Sequence, residues 1–400
     1  MDPVVIIDAV RTPIGRYNGM LKDIRPDDLA SHVIRCLIER QPDLPPENID
    51  DVIFGNANGA GEENRNVARM AALLAGLPQS VSGTTINRLC GSSLDAISMG
   101  ARSILSGEAD VILAGGVESM SRAPLVMKKP EKSFPRGDMT LQDTTIGWRF
   151  VNPKMEEMYG TDSMPHTAEN VAQRYNISRE EQDYFAYQSQ QRAKLAMETN
   201  RFEQEIIPIV KKEKNGEETV IDSDEHPRPE TTLEKLEKLR PLFADGTVTA
   251  GNASGVNDGA AAVLLMRESK AKAFGLKPLV RFRASSTAGV EPSVMGLGPI
   301  ASTEKLMQRH GISNKDFDVV ELNEAFASQS LECMRQLDFD SSRVNVNGGA
   351  IAFGHPLGAS GAKILASLIY EMKRSNHELG LATMCIGVGQ GISLAVENVV

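Results

Sequence analysis

Short apolar runs alternate with longer amphipathic stretches along most of the chain. VVIIDAVR (4–11) reads as a strand, and DLASHVIRCLIER (28–40) carries apolar residues at helical spacing. NIDDVIFGNANG (48–59) begins a second strand. NRLCGSSLDAISMGARSIL (87–105) is a glycine-marked turn running into a helix, and ADVILAGGVESM (109–120) closes on a strand and a small-residue turn. After residue 275 the same order returns. LVRFRASSTAG (279–289) is followed by GPIASTEKLMQRHG (298–311), KDFDVVELNEAF (315–326), NGGAIAFGHPLGASGAKILASLI (347–369) and LGLATMCIGVGQG (379–391). Five features recurring in one order predict a duplicated fold. Strand–helix alternation predicts an α/β class with mixed, mostly parallel sheets, and runs such as VILA (111–114) predict burial on both faces.

The pattern changes between the repeats. KKPEKSFPRGD (128–138) and KKEKNGEE (211–218) have the composition of solvated loops. SREE (178–181) is a capping box that starts a helix, with Ser178 as the cap and Glu181 reaching back. The expected organisation is a first half over 1–120, completed by part of 250–275. An inserted loop or lid domain follows over 121–250, and a second half over 276–400. An insertion of this kind binds substrate or mediates assembly.

Composition narrows the function. A net charge of −10, from 43 basic and 53 acidic residues, lacks the basic field of a nucleic-acid or membrane-surface binder. No apolar run approaches the length of a membrane span, and the N-terminus lacks the features of a signal peptide. The 4 cysteines are far apart and show no metal-ligand spacing, so no metal site is expected, and a reducing, cytoplasmic setting fits.

Candidate chemistry concentrates where the repeat places equivalent turns. The first half presents Cys90 there, and the second presents His355 in GHPLGASG. Cys90 precedes a helix, where the dipole and a nearby imidazole would favour a thiolate; a small buried hydrophobe at a tight turn is the plain alternative. Glycines around His355 allow close approach of backbone and ligand. Cys385 ends the last repeat strand beside Gly387 and Gly389, whose N–H groups could serve an oxyanion hole or simply a turn. Asn323, in NEAF at a strand end, could hold a water, orient a histidine or cap a helix, and Glu324 could cap the helix that follows. Cys36 and Cys333 fall inside helical patterns and read as packing residues.

Together NRLCGSS, AGGVESMSR, TAGNASGVNDGAAA (249–262), ELNEAFA, NVNGGAIAFGHPLGASGA (345–362) and CIGVGQG resemble the thiolases. The motifs span nearly the whole chain in family order. The resemblance implies thiolytic cleavage of a 3-oxoacyl-CoA by coenzyme A, giving acetyl-CoA and a shortened acyl-CoA through an acyl-enzyme on Cys90. It implies that His355 activates Cys90, that Cys385 protonates the departing enolate, and that a water on Asn323 completes an oxyanion hole with His355. The backbone N–H groups of Cys90 and Gly387 would form the other hole. Arg228, Ser254, Met164, Phe243, Met295 and Phe326 align with family positions that contact coenzyme A and the acyl tunnel. Coenzyme A is then a co-substrate, with no prosthetic group, and the family assembles as homodimers or homotetramers.

Two positions depart from the family. Ser93 and Val388 stand where glycine is usual or frequent. DTTIGWRFVNP (143–153) resembles degradative enzymes of the β-oxidation kind, the β-ketoadipyl-CoA type among them. The alternatives are a biosynthetic acetoacetyl-CoA thiolase, a β-ketoacyl synthase and a non-catalytic acyl-CoA carrier. CIGVGQG speaks against the synthase, and the presence of Cys90, His355 and Cys385 speaks against the carrier.

Overall fold

The computed structural model describes residues 2–212 and 215–399. Met1 and Val400, at the ends of the two expected halves, and Glu213 and Lys214, inside the 211–218 stretch, lie outside the described residues. The first half runs β1 (Val4–Arg11), β2 (Gly15–Arg16), α1 (Pro26–Glu39), β3 (Asp51–Gly55), α2 (Val67–Leu74), β4 (Ser82–Ile86), α3 (Ser92–Ser106) and β5 (Val111–Ser119). The next segment holds β6 (Leu125–Val126), β7 (Gln142–Asp143), α4 (Pro153–Tyr159), α5 (Met164–Arg174), α6 (Arg179–Glu198), β8 (Ile209–Lys212), β9 (Glu218–Ile221) and α7 (Leu233–Glu237). Then β10 (Asn257–Arg267) rejoins the first half, and α8 (Glu268–Ala273) leads away from it. The second half contains β11 (Val280–Gly289), α9 (Gly298–His310), β12 (Val319–Leu322), α10 (Ala327–Gln336), α11 (Ala350–Phe353), α12 (Ser360–Ser375), β13 (Leu379–Ile386) and β14 (Gln390–Asn398).

The strand order β12-β13-β14-β11-β1-β10-β5-β3-β4 contains the repeat. From the middle outward, β1-β10-β5-β3-β4 mirrors β11-β14-β13-β12, and a parallel bridge from Val320 to Val344 takes the place of β4. The halves meet edge to edge through two residue pairs, Val5 with Arg281 and Ile6 with Val280. Strands joined by helices pair parallel, as β3 does with β4 and β5, and β12 with β13. The closing strands β10 and β14 add antiparallel pairs to this mixed sheet, because β14 follows β13 through a tight turn and β10 returns from the long insertion.

Alternation along β1 divides the core. Val4 and Ile6 point to a central cluster with Leu94, Ile97 and Ala101 of α3 and Leu365 and Ile369 of α12. Strand residues of both halves, including Val263 and Leu394, complete that cluster. Val5 and Ile7 point the other way, toward Leu29 and Val33 of α1 and Ala68 of α2. The second half has its own outer layer, where Leu306 of α9 and Cys333 of α10 cover Val320, Leu381 and Ala395. Every residue from Ser360 to Met372 in α12 is buried, as a helix walled in by two half-sheets must be. Truncating Leu365 to Ala there would cost about 2–5 kcal/mol.

The insertion is tied down by charge and by caps. Arg11 is fully buried at the end of β1, with Glu205 at 2.6 Å and Asp224 at 2.7 Å, both from the insertion. Helix α6 opens on the capping box seen in the sequence: Ser178 Oγ accepts from Glu181 N–H at 3.2 Å, and Glu181 accepts from Ser178 N–H at 2.8 Å. Within the 211–218 stretch, Lys211 and Lys212 end β8 and Glu218 begins β9, with Lys212 paired to Glu218. No helix among the described residues is long and apolar enough to cross a membrane.

Candidate active site

Cys90 lies between β4 and α3, in a single 3-10 turn over Leu89–Gly91. Leu89 adopts a left-handed φ of 45°, and Ser92 Oγ braces the turn by accepting from Arg88 N–H at 2.9 Å and donating to Leu89 O at 2.6 Å. A Cβ on Gly91 would sit 2.6 Å from Ile386, so glycine lets the end of β13 close on the turn. The thiol is pushed up to about 11 by burial, against the opposing pull of the backbone N–H groups of Gly387 and of Cys90 itself. Position at a helix start alone predicted a lowered value; here desolvation outweighs the donors. At rest Cys90 is therefore a neutral thiol.

His355 is placed by its neighbours. Gly354 has φ 94°, and a Cβ there would overlap the Asn257 carboxamide at 2.3 Å. That carboxamide accepts from His355 N–H at 2.9 Å and donates to Gly15 O at 2.9 Å. The ring's Nδ1 lies 2.6 Å from Ser360 Oγ, which in turn donates to Pro356 O at 3.0 Å. With the serine hydrogen committed to that carbonyl, Nδ1 carries the ring hydrogen and Nε2 is left as the acceptor. Nε2 is buried without a partner. Burial, with Lys363 adding repulsion, lowers the imidazole to about 4. The side chain is a neutral base with a free lone pair.

Cys385 is buried at the end of β13, and its thiol is pushed well up by burial and then by nearby Cys90, which would ionise first. The Gln329 carboxamide satisfies both its ends when its nitrogen donates to Asn323 O at 3.2 Å and its oxygen accepts from Ser330. That orientation sets the amide nitrogen 3.3 Å from Cys385 Sγ, a donor for the sulfur. The Asn323 side-chain nitrogen is buried with no partner of its own. Glu324 does not cap α10, directly after it, but it accepts a first-turn donor of the later helix α11. It receives Ile351 N–H of α11 at 3.1 Å and Ser189 Oγ of α6 at 2.7 Å, tying the insertion to the second half.

Cys90, His355 and Cys385 all open on one cavity of about 710 Å³. Met164, Arg228, Ser254, Met295 and Phe326 line it as well. Phe243 does not; it stacks on His166 with ring centroids 3.8 Å apart. Asn323 and Gly387 stand behind the wall, with Gly387 packed beside Leu89 and Met164. The arrangement supplies a nucleophile, a base, a second thiol and backbone donors in a chamber with many apolar walls and the charged residues Arg16, Arg228, Glu230 and Lys235. Among the described residues no cluster of three or more His, Cys, Asp or Glu is arranged to hold a metal ion.

Four residues that shape this chamber escaped the sequence analysis: Ser360, Gln329, Asn257 and Arg16. Gln329, Asn257 and Arg16 act through partners distant in sequence or lie outside the repeat's turns, whereas Ser360 stands five residues from His355 within GHPLGASG. The two departures now have structural settings. Ser93 Oγ accepts Ala362 N–H at 2.9 Å, satisfying one open donor of the first turn of α12 from within α3. Val388 occupies a left-handed φ of 64° between Gly387 and Gly389, a conformation costly for a β-branched residue.

The family model described as "Thiolase, N-terminal domain" matches residues 4–269, and "Thiolase, C-terminal domain" matches 276–398. The chain is 58% identical over 402 residues to a 3-oxoadipyl-CoA/3-oxo-5,6-dehydrosuberyl-CoA thiolase of Escherichia coli, covering 100% of both proteins. It is 46% identical over 396 residues to an acetyl-CoA acetyltransferase of Allochromatium vinosum, covering 99% of each. A crystal structure of the Bacillus anthracis acetyl-CoA acetyltransferase superposes with a TM-score of 0.93 at 43% identity, covering 100% of this chain and 99% of that one.

Proposed function

The chain belongs to the thiolase family, and from that premise we propose that it cleaves a 3-oxoacyl-CoA ending in a carboxylate, 3-oxoadipyl-CoA, with Cys90 as nucleophile. Its reaction is the transfer of an acyl group between a cysteine thiol and coenzyme A. The observation that carries the residue roles is the convergence of Cys90, His355 and Cys385 on one cavity. The carboxylated substrate rests on the 58% identical thiolase named for it, against 46% for the acetyltransferase.

The step order follows from the protonation states. The neutral Cys90 thiol gives its proton to His355 Nε2 as sulfur attacks the 3-oxo carbon, so no free thiolate precedes substrate. Cleavage of the C2–C3 bond leaves the enolate of acetyl-CoA, and Cys385 protonates it. Gln329 then donates to the resulting thiolate. The N–H groups of Cys90 and Gly387 receive one developing oxyanion, and a water on the free Asn323 amide with His355 receives the other. Loss of one such donor costs about 3 kcal/mol, or some hundredfold in rate. Free coenzyme A then takes the acyl group: its thiol proton passes to the Cys385 thiolate as its sulfur attacks the acyl carbon, and His355 returns the proton it holds to the Cys90 sulfur as that sulfur leaves. We read Arg228 and Ser254 as contacts for coenzyme A, Met164, Met295 and Phe326 as tunnel walls, and the enzyme as a cytoplasmic homodimer or homotetramer.

The test is acetyl-CoA release from 3-oxoadipyl-CoA and from acetoacetyl-CoA, in the presence of coenzyme A. Cys90→Ser is expected to lose at least about a thousandfold in kcat with both substrates. Cys385→Ala is expected still to form an acyl-enzyme from an acyl-CoA but not to cleave the C–C bond. Full turnover by either variant would overturn the mechanism.

A further inference from the structure

We propose that Arg16 is the residue that selects the substrate's distal carboxylate, a specificity contact that rests on the carboxylated-substrate reading above. Arg16 lines the cavity that holds Cys90 and His355. It is half-buried, and its Nε is fully buried without a hydrogen-bond partner. Among the described residues no carboxylate forms an ion pair with its guanidinium. Glu225 beside it serves the backbone instead: one oxygen accepts the N–H of Arg16 at 2.8 Å and of Met20 at 3.0 Å. A guanidinium drawn partly out of water without a counter-charge is costly, and a ligand carboxylate relieves that cost.

The cavity carries other cations, and their positions divide the work. Arg228 and Lys235 are exposed residues of the insertion, at the rim. They suit the phosphates of coenzyme A, which remain outside the reacting end. Arg16 instead sits on β2, whose register with β10 pairs it with Asn257. Asn257 holds the backbone N–H of His355 at 2.9 Å. Arg16 is thus fixed to the strand that positions His355, in the wall of the cavity on which Cys90 and His355 open. His226 lines the same cavity, and burial and the repulsion of Arg228 and Arg16 bring it down to about 4, so it stays neutral and adds no charge beside Arg16.

A substrate with a carboxylate three carbons beyond its 3-oxo carbon gives Arg16 a partner. An alkyl tail leaves it unpaired. A site built around a charged contact rejects the analogue lacking it far more strongly than a hydrophobic pocket rejects a missing methylene. Arg16 would therefore act on discrimination between substrates and not on the chemical step.

The experiment compares kcat/KM for 3-oxoadipyl-CoA with that for 3-oxohexanoyl-CoA, its uncharged six-carbon counterpart, in the native enzyme, R16L and R16K. The native enzyme should prefer the carboxylated substrate. In R16L the preference should fall by about a hundredfold or more through loss on 3-oxoadipyl-CoA, with 3-oxohexanoyl-CoA unchanged or improved. R16K should recover part of the preference, since lysine keeps the charge but not the bidentate geometry. Equal loss on both substrates would overturn the inference and make Arg16 a structural residue; an unchanged preference in R16L would overturn it too. If the native enzyme itself fails to prefer 3-oxoadipyl-CoA, the substrate reading fails, and the inference with it. Failure of R16L alone leaves the substrate reading standing.

Discussion

The resting state of the proposed nucleophile and base is set by burial more than by their partners. Cys90 is held up at about 11 and His355 down at about 4, so each is neutral in the free enzyme. Alkylation needs the thiolate. The rate of inactivation by iodoacetamide should then climb about tenfold per pH unit from pH 7 through pH 9 without levelling. A plateau below pH 8 would mean that a thiolate–imidazolium pair exists before substrate binds. Ser360 is the positioning residue for this base. Ser360→Ala frees Nδ1 and lets the ring exchange its hydrogen between nitrogens, and it should lower kcat by about tenfold or more while KM changes little. Equal kcat in the variant would remove Ser360 from the mechanism. Val388 makes a separate statement about strain. Glycine at a φ of 64° relieves a penalty of about 1–2 kcal/mol. Glycine also gains freedom in the unfolded chain, so Val388→Gly should stabilise by less, about 0.5–1 kcal/mol, read as a higher urea midpoint. A lower midpoint would show that Val388 packing outweighs its backbone cost.

At the scale of elements, the sequence spoke where periodicity and turns carry the information. The counterparts β1 and β11, α1 and α9, β3 and β12, α3 and α12, and β5 and β13 all stood in one order along the chain, and each pair of strands occupies matching sites in the sheet. Cys90 and His355 were visible because small residues mark the turns that present them. What escaped depends on contacts between elements. Ser93 gained its meaning only when α12 was seen to start against α3. The Ser360 contact needed a bound on which atom holds the serine hydrogen, and Gln329 needed the neighbouring strand end. Helix polarity pointed one way for Cys90 and burial decided the other, because a pattern of residues does not report desolvation. The buried fastening of the insertion was equally hidden, since Arg11, Glu205 and Asp224 are far apart in the chain. Removing one partner strands buried charges, so Arg11→Ala should destabilise by about 3–5 kcal/mol. A urea midpoint within error of the native one would show that water reaches the acids and replaces the guanidinium.

The whole molecule carries an apolar excess in one region. Large hydrophobic side chains stand exposed at Leu125, Met127, Phe134, Met139, Leu141, Ile146, Trp148, Phe150, Met158 and Tyr159. Phe134 is 89% exposed, a degree that ordinary surface scatter does not require of so large a ring. The same region includes β6 and β7, a ribbon of two residue pairs that no third strand covers among the described residues. A two-stranded ribbon of that length is marginal in water on its own. A second copy of the chain, presenting the same apolar stretch about a two-fold axis, would cover both the side chains and the open edges. Light scattering after size exclusion should therefore give a mass of at least twice the 43.4 kDa chain. The double variant Leu125→Lys, Leu141→Lys places like charges on the stretch without touching Cys90, His355 or Cys385. It should shift the distribution to a smaller assembly while the far-ultraviolet circular dichroism spectrum of the folded chain stays native. A native enzyme that is monomeric at micromolar concentration and fully active would defeat the argument, because the apolar stretch would then be stable in water. A variant that keeps the native mass would show that the chains meet elsewhere on the molecule.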